Sequence, residues 1–202
     1  MNFQTFKTKC GRIEKIFLSL LGLSLAILTL KVFLLHPITL LSVFMYLLLV
    51  LLFCTLGFLA YFDFKNTQVH NILSFVLMIA LVGVNISLFF LFKNSLDIKL
   101  IGDWIYNPYY NMMGALILGS IFQLIVLVSK EKALGQGDVR IAIISGLLVG
   151  SINLPYWGYI TVFSALAYGL IVAYKKKKFK GLRIPFVPFM VLGNVIIILI
   201  NL

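Results

Sequence analysis

Long apolar runs, separated by short polar breaks, set the pattern of the chain. A membrane-spanning helix needs roughly 20 consecutive apolar residues. By that measure the pattern predicts seven spans: Ile16–Leu35, Ile38–Phe62, Ile72–Phe92, Met112–Val128, Val139–Leu154, Tyr156–Tyr174 and Phe186–Leu202. Breakers fall between them, at His36-Pro37, Asn153-Leu154-Pro155 and Ile184-Pro185. The fifth run is the shortest and carries Arg140 in its first turn. Lys7, Lys9, Arg12 and Lys15 precede the first run in the manner of a signal peptide. That run is longer than a signal core and no small-residue cleavage site follows, so an uncleaved helix is expected. The expected fold is an all-α, polytopic membrane helical bundle of about seven spans.

Composition agrees with the pattern. The chain is 62% hydrophobic and 11% charged, against about 45–50% and about 25% in ordinary globular proteins. A water-soluble enzyme, a disordered tail and a secreted disulfide scaffold are excluded. Cys10 and Cys54 cannot staple a framework, and Cys54, among leucines, is expected to be a packed apolar residue. No Cys-x-x-Cys or paired histidine offers a metal site, and neither metal nor cofactor is expected.

A net charge of +11 in so apolar a chain points to sorting across a bilayer rather than to nucleic acid. With the N-terminus inside, fourteen Lys and Arg fall on the cytoplasmic side and only Lys31, Lys93 and Lys99 outside. The expected topology is therefore N-terminus in the cytoplasm and C-terminus outside, in the cell (inner or plasma) membrane.

Six residues are acidic. Asp97 and Asp103 sit in the outer loop beside Trp104, Tyr106, Tyr109 and Tyr110, which reads as an interfacial aromatic belt. Glu14 and Glu131 lie among lysines and read as surface charges. Asp63 and Asp138 differ, because each sits at the cytoplasmic end of a span, at similar depth. A carboxylate there is costly and tends to face a bundle interior or a wet cavity. The plainer alternative pairs Asp63 with Lys65 and Asp138 with Arg140. Gly135 and Gly137 flank the second acid and would permit positive φ and close approach of another backbone, as a peptide-binding site needs.

Two aspartates sharing a site cannot both ionise cheaply, so one keeps a proton near neutral pH. The protonated member can polarise a scissile carbonyl while the charged one takes a proton from water. No Ser, Cys or His constellation offers a competing nucleophile. The chemistry left open is aspartyl hydrolysis.

At this point the residues resemble a family. Asp63-Phe64-Lys65-Asn66-Thr67-Gln68-Val69-His70-Asn71 is similar to the Asp-x5-Ile-Pro-Asn element of type IV prepilin peptidases. Gly135-Gln136-Gly137-Asp138-Val139-Arg140 resembles their Gly-x-Gly-Asp-x-Lys/Arg signature, and Ile184-Pro185-Phe186-Val187-Pro188-Phe189 their late Pro-Phe-x-Pro-Phe stretch.

The resemblance covers roughly residues 56–202. It implies an aspartic endopeptidase with Asp63 and Asp138 as the catalytic pair and Gly135 and Gly137 as the motif glycines. Its substrate would be a prepilin or pseudopilin with a basic leader ahead of an apolar helix. On this reading residues 38–202 form a six-helix peptidase core, and residues 1–37 supply a basic N-terminus and one extra helix. His70 stands where the family usually has proline. The cytoplasmic insert with paired Cys-x-x-Cys motifs is missing, so N-methylation is not expected. A related GxGD protease, such as a preflagellin peptidase, is the nearest alternative, and a small proton-coupled transporter is one from another class. Because both the leader and the cytoplasmic face are basic, binding is expected to come from the substrate's apolar helix and from backbone approach at Gly135 and Gly137.

Overall fold

The computed structural model describes residues 40–91, 98–101, 104–131, 134–177 and 184–201, with scattered helical positions between 15 and 30. Most of the first expected span, the boundary at residue 37, and Asp97 and Asp103 lie outside the described residues. Within them run α1 (Leu40–Asn66), α2 (Asn71–Leu91), β1 (Ile98–Ile101), β2 (Trp104–Tyr106), α3 (Pro108–Ser129), α4 (Gln136–Val149), α5 (Leu154–Lys176) and α6 (Val187–Asn201). The protein is an all-α helical bundle, and α1, α2, α3 and α5 are each long and apolar enough to cross a membrane. The 14 residues of α4 span about 21 Å at 1.5 Å each. That falls short of a hydrocarbon core of about 30 Å.

Capping chemistry moves the helix boundaries away from those that hydropathy predicts. Asn107 accepts from the Tyr109 and Tyr110 amides at 3.0 and 3.3 Å, and Pro108 opens α3 four residues before Met112. At its other end Lys130 and Glu131 take positive φ, and their amides close back on Leu127 and Val126. Gly150, at φ +72°, ends α4 five residues before the expected Leu154. Between α2 and α3 the described residues hold two short strands that the aromatic composition did not suggest. β1 and β2 form an antiparallel hairpin, Ile98 opposite Tyr106. Tyr106 is buried rather than interfacial, accepting a 2.6 Å hydrogen bond from Asn85 of α2.

The shortest helix is the centre of the bundle, with buried side chains around nearly its whole circumference. Small residues bring α3 against it. A Cβ on Gly146 would lie 2.5 Å from the Ala115 backbone, and one on Gly114 would lie 2.7 Å from the Gly146 carbonyl. Buried polar bonds fix the register: Asn111 Nδ2 donates to the Leu147 carbonyl at 2.8 Å, and Asn194 Nδ2 of α6 to Ser145 Oγ at 3.0 Å. Trp157 of α5 donates to the Met190 carbonyl of α6. Cys54, expected to be packed, is exposed. A helix apolar all round carries no polar stripe from which its facing could be read.

Candidate active site

Asp63 lies in the last turn of α1, which runs on through Asn66 rather than stopping at Phe62. The Thr67 amide closes that turn on the Asp63 carbonyl at 2.7 Å, and Thr67 itself takes φ +49°. This is a costly conformation for a β-branched residue, and it turns the chain back sharply. His70 then caps α2, its Nδ1 accepting from the Leu73 amide at 3.3 Å. A histidine at this position thus starts the helix with its side chain.

The Asp63 side chain is 4% exposed. Its Oδ2 accepts from the Val187 amide at 3.2 Å, so the carboxylate sits at the positive end of α6. Asp138 occupies the first turn of α4, and its Oδ2 accepts from the Gly135 amide at 2.9 Å. Each acid therefore caps a helix through one oxygen. Arg140 does not pair with Asp138. Its guanidinium donates to the Asn71 carbonyl at 3.1 Å and to Asn71 Oδ1 at 3.3 Å, and it lies over the Phe75 ring.

These contacts interlock the three sequence elements. Val69 packs on Gly137, Asn71 holds Arg140, and Val187 holds Asp63. Phe186, just ahead of α6, meets Phe122 of α3 with centroids 6.0 Å apart. Asp63 and Asp138 come within electrostatic reach of each other and line one cavity of about 760 Å³. Its walls are Thr67, Gln68 and Val69 from the α1–α2 link, Asn71 at the start of α2, Glu131, Leu134 and Gly135 ahead of α4, Gln136 to Asp138 in its first turn, and Ile184 and Phe186.

Gly135 and Gly137 both line the cavity, but neither takes positive φ. Gly135 is extended at φ −96°, and Gly137 lies within the first helical turn. The space beside Gly137 is already filled, since a Cβ there would lie 2.5 Å from Val69 Cβ. Its missing side chain serves internal packing, which corrects the expectation of backbone approach at this position. Gly135 is open, the nearest atom to a Cβ being Asp138 Oδ2 at 3.9 Å.

Glu131, read from sequence as a surface charge, is a third carboxylate on the cavity. Its only signal was its place in the short loop leading to Gly135. Three of the chain's six acids thus line this cavity, and among the described residues no Lys, Arg or His does. Lys132, Lys178, Lys180 and Arg183, which adjoin these walls in sequence, lie outside the described residues. Among the described residues no group of three or more His, Cys, Asp or Glu could hold a metal ion. Comparison with family models, curated proteins and solved structures finds no match to the chain.

Proposed function

We propose that the protein is a membrane aspartic endopeptidase that cuts the basic leader from a prepilin-like substrate at the cytoplasmic face. The observation that carries this reading is the pair of carboxylates, brought by two different helices to one cavity large enough for a peptide segment. Asp63 and Asp138 hold one proton between them. The ionised member takes a proton from water, and the water oxygen attacks the scissile carbonyl. The protonated member donates toward the carbonyl oxygen as charge develops there. Collapse of the tetrahedral intermediate breaks the C–N bond and returns a proton to the leaving amine. No step calls for a metal or cofactor.

The resemblance of the three elements to type IV prepilin peptidases supports the same reading. So does the charge distribution, which assigns the end of the bundle holding Asp63 and Asp138 to the cytoplasm. The test is cleavage of a prepilin from the same genome by the purified chain in lipid. The expected result is one cut between the basic leader and the apolar helix, lost in Asp138→Asn and kept in Asp97→Asn and Asp103→Asn. An intact prepilin under those conditions would remove the peptidase reading.

A further inference from the structure

Residues two apart on a helix point about 200° apart. Asp138 and Arg140 at the start of α4 therefore face opposite sides of it, Asp138 toward the cavity and Arg140 toward α2. There the guanidinium meets three oxygens of the first turn of α2: the Asn71 carbonyl at 3.1 Å, Asn71 Oδ1 at 3.3 Å and Ser74 Oγ at 3.5 Å. The buried Ser74 hydroxyl donates its hydrogen to the Asn71 carbonyl at 3.1 Å, which leaves an Oγ lone pair for the arginine. A guanidinium only donates, so the Asn71 amide must present its oxygen. The Phe75 ring, centred 5.6 Å from the guanidinium carbon, covers one face of it. The contact falls at the positive end of α2, where a cation gains nothing from the helix dipole. What it supplies is direction.

The two acids have separate anchors, Asp63 on the Val187 amide of α6 and Asp138 on the Gly135 amide ahead of its own helix. Neither bond sets the distance between them. The polar bond from α6 to α4, Asn194 on Ser145, lies seven residues beyond Val187 and beyond Asp138, about 10 Å from the acids. Nearer to them, α4 meets the chain that follows Asp63 at two places. Val69 packs on Gly137, an apolar contact that can slide. The arginine cannot slide without giving up its oxygens. We infer that Arg140 is a positioning residue, bracing the start of α4 on the first turn of α2 from behind Asp138 and so setting the separation of the two carboxylates. This deepens the peptidase reading and rests on it, since a shared proton and a jointly held water need both acids at one spacing.

The test compares the full chain in lipid with Arg140→Met, which keeps an apolar stem and removes every donor, and Arg140→Lys, which keeps the charge. Prepilin cleavage is followed across a pH series. In Arg140→Met kcat should fall about 10²-fold, with KM nearly unchanged because the residue faces away from the cavity. The bell should also narrow, because the coupling that holds its two limbs apart weakens as the carboxylates separate. Arg140→Lys should recover part of both. If only charge mattered, both limbs would move the same way at constant width and Arg140→Lys would be fully active. If Arg140 only stabilised the fold, the unfolding temperature would drop and the width would stay. Either result overturns the inference. A second readout needs no cleavage: nitroxide labels on Gln68→Cys in the α1–α2 link and Gln136→Cys in α4, with Cys10 and Cys54 replaced by serine. Arg140→Met should broaden the distribution of distances between the labels, and an unchanged distribution also overturns the brace. If the unmutated chain leaves the prepilin uncut, the peptidase reading fails and the labels alone decide whether the brace exists.

Discussion

Asparagine caps a helix about as well as aspartate does, and this separates the two roles that Asp63 and Asp138 combine. If capping were their whole contribution, Asp63→Asn and Asp138→Asn would fold and stay active. On the acid–base reading each should lose roughly 10²–10⁴-fold in turnover while still inserting. The double variant should be no worse, because the pair acts as a unit. Steady-state cleavage across a pH series checks both points. The unmutated chain should show a bell, falling in acid where both carboxyls are protonated and in base where both are ionised. Substantial activity in Asp63→Asn alone would end the dyad. A second pair of residues tests packing. Gly137→Ala should displace Val69 and with it the link between Asp63 and α2, costing activity, and adding Val69→Ala should restore part of it. Gly135→Ala has open space and should be near normal in the same assay.

At the level of elements, the site depends on how tightly α3 holds α4. The contact of Gly146 with Gly114 and Ala115 leaves no room for a side chain. Gly146→Val should therefore destabilise the fold by about 1–3 kcal/mol, read as a lower unfolding temperature in detergent. Gly158 meets nothing within 4 Å, so Gly158→Ala is the matched control and should be unchanged or slightly more stable. An unaltered unfolding temperature in Gly146→Val would mean that the two helices can separate without loss. The same contact explains why α4 can be short. Buried on nearly all sides, it need not reach either membrane surface, and its N-terminus stops at the cavity.

Across the described residues, the two ends of the bundle differ in character. One end gathers Asp63, Thr67, Asn71, Glu131 and Asp138. The other holds an amide-lined cavity of about 310 Å³, with Asn107, Asn111, Asn153 and Asn201. On the proposed topology, which rests on the lysine and arginine distribution, the first end faces the cytoplasm. Asn66→Cys and Lys177→Cys, made with Cys10 and Cys54 replaced by serine, should react with a membrane-impermeant thiol reagent only after the membrane is opened. Labelling of either in intact cells would put the carboxylates on the wrong side for a cytoplasmic leader.

Apolar run length determined the helical membrane fold, because burying a backbone in lipid demands helices whatever their arrangement. Chemistry of residue type, with the spacing of the three elements, singled out Asp63 and Asp138 as residues that belong together. What sequence could not determine was facing. In runs apolar all round, nothing marks the side that meets a neighbour, so Cys54 was misplaced. Nor does a count of charges say which of them turn inward. Glu131 and Arg140 both sit among or beside basic or acidic neighbours in sequence, yet one lines the cavity and the other turns to Asn71. Only the tertiary structure decided these, since they depend on contacts between segments far apart in the chain. Val69 on Gly137 and the Val187 amide on Asp63 are two such contacts, and each exists only once the bundle has closed.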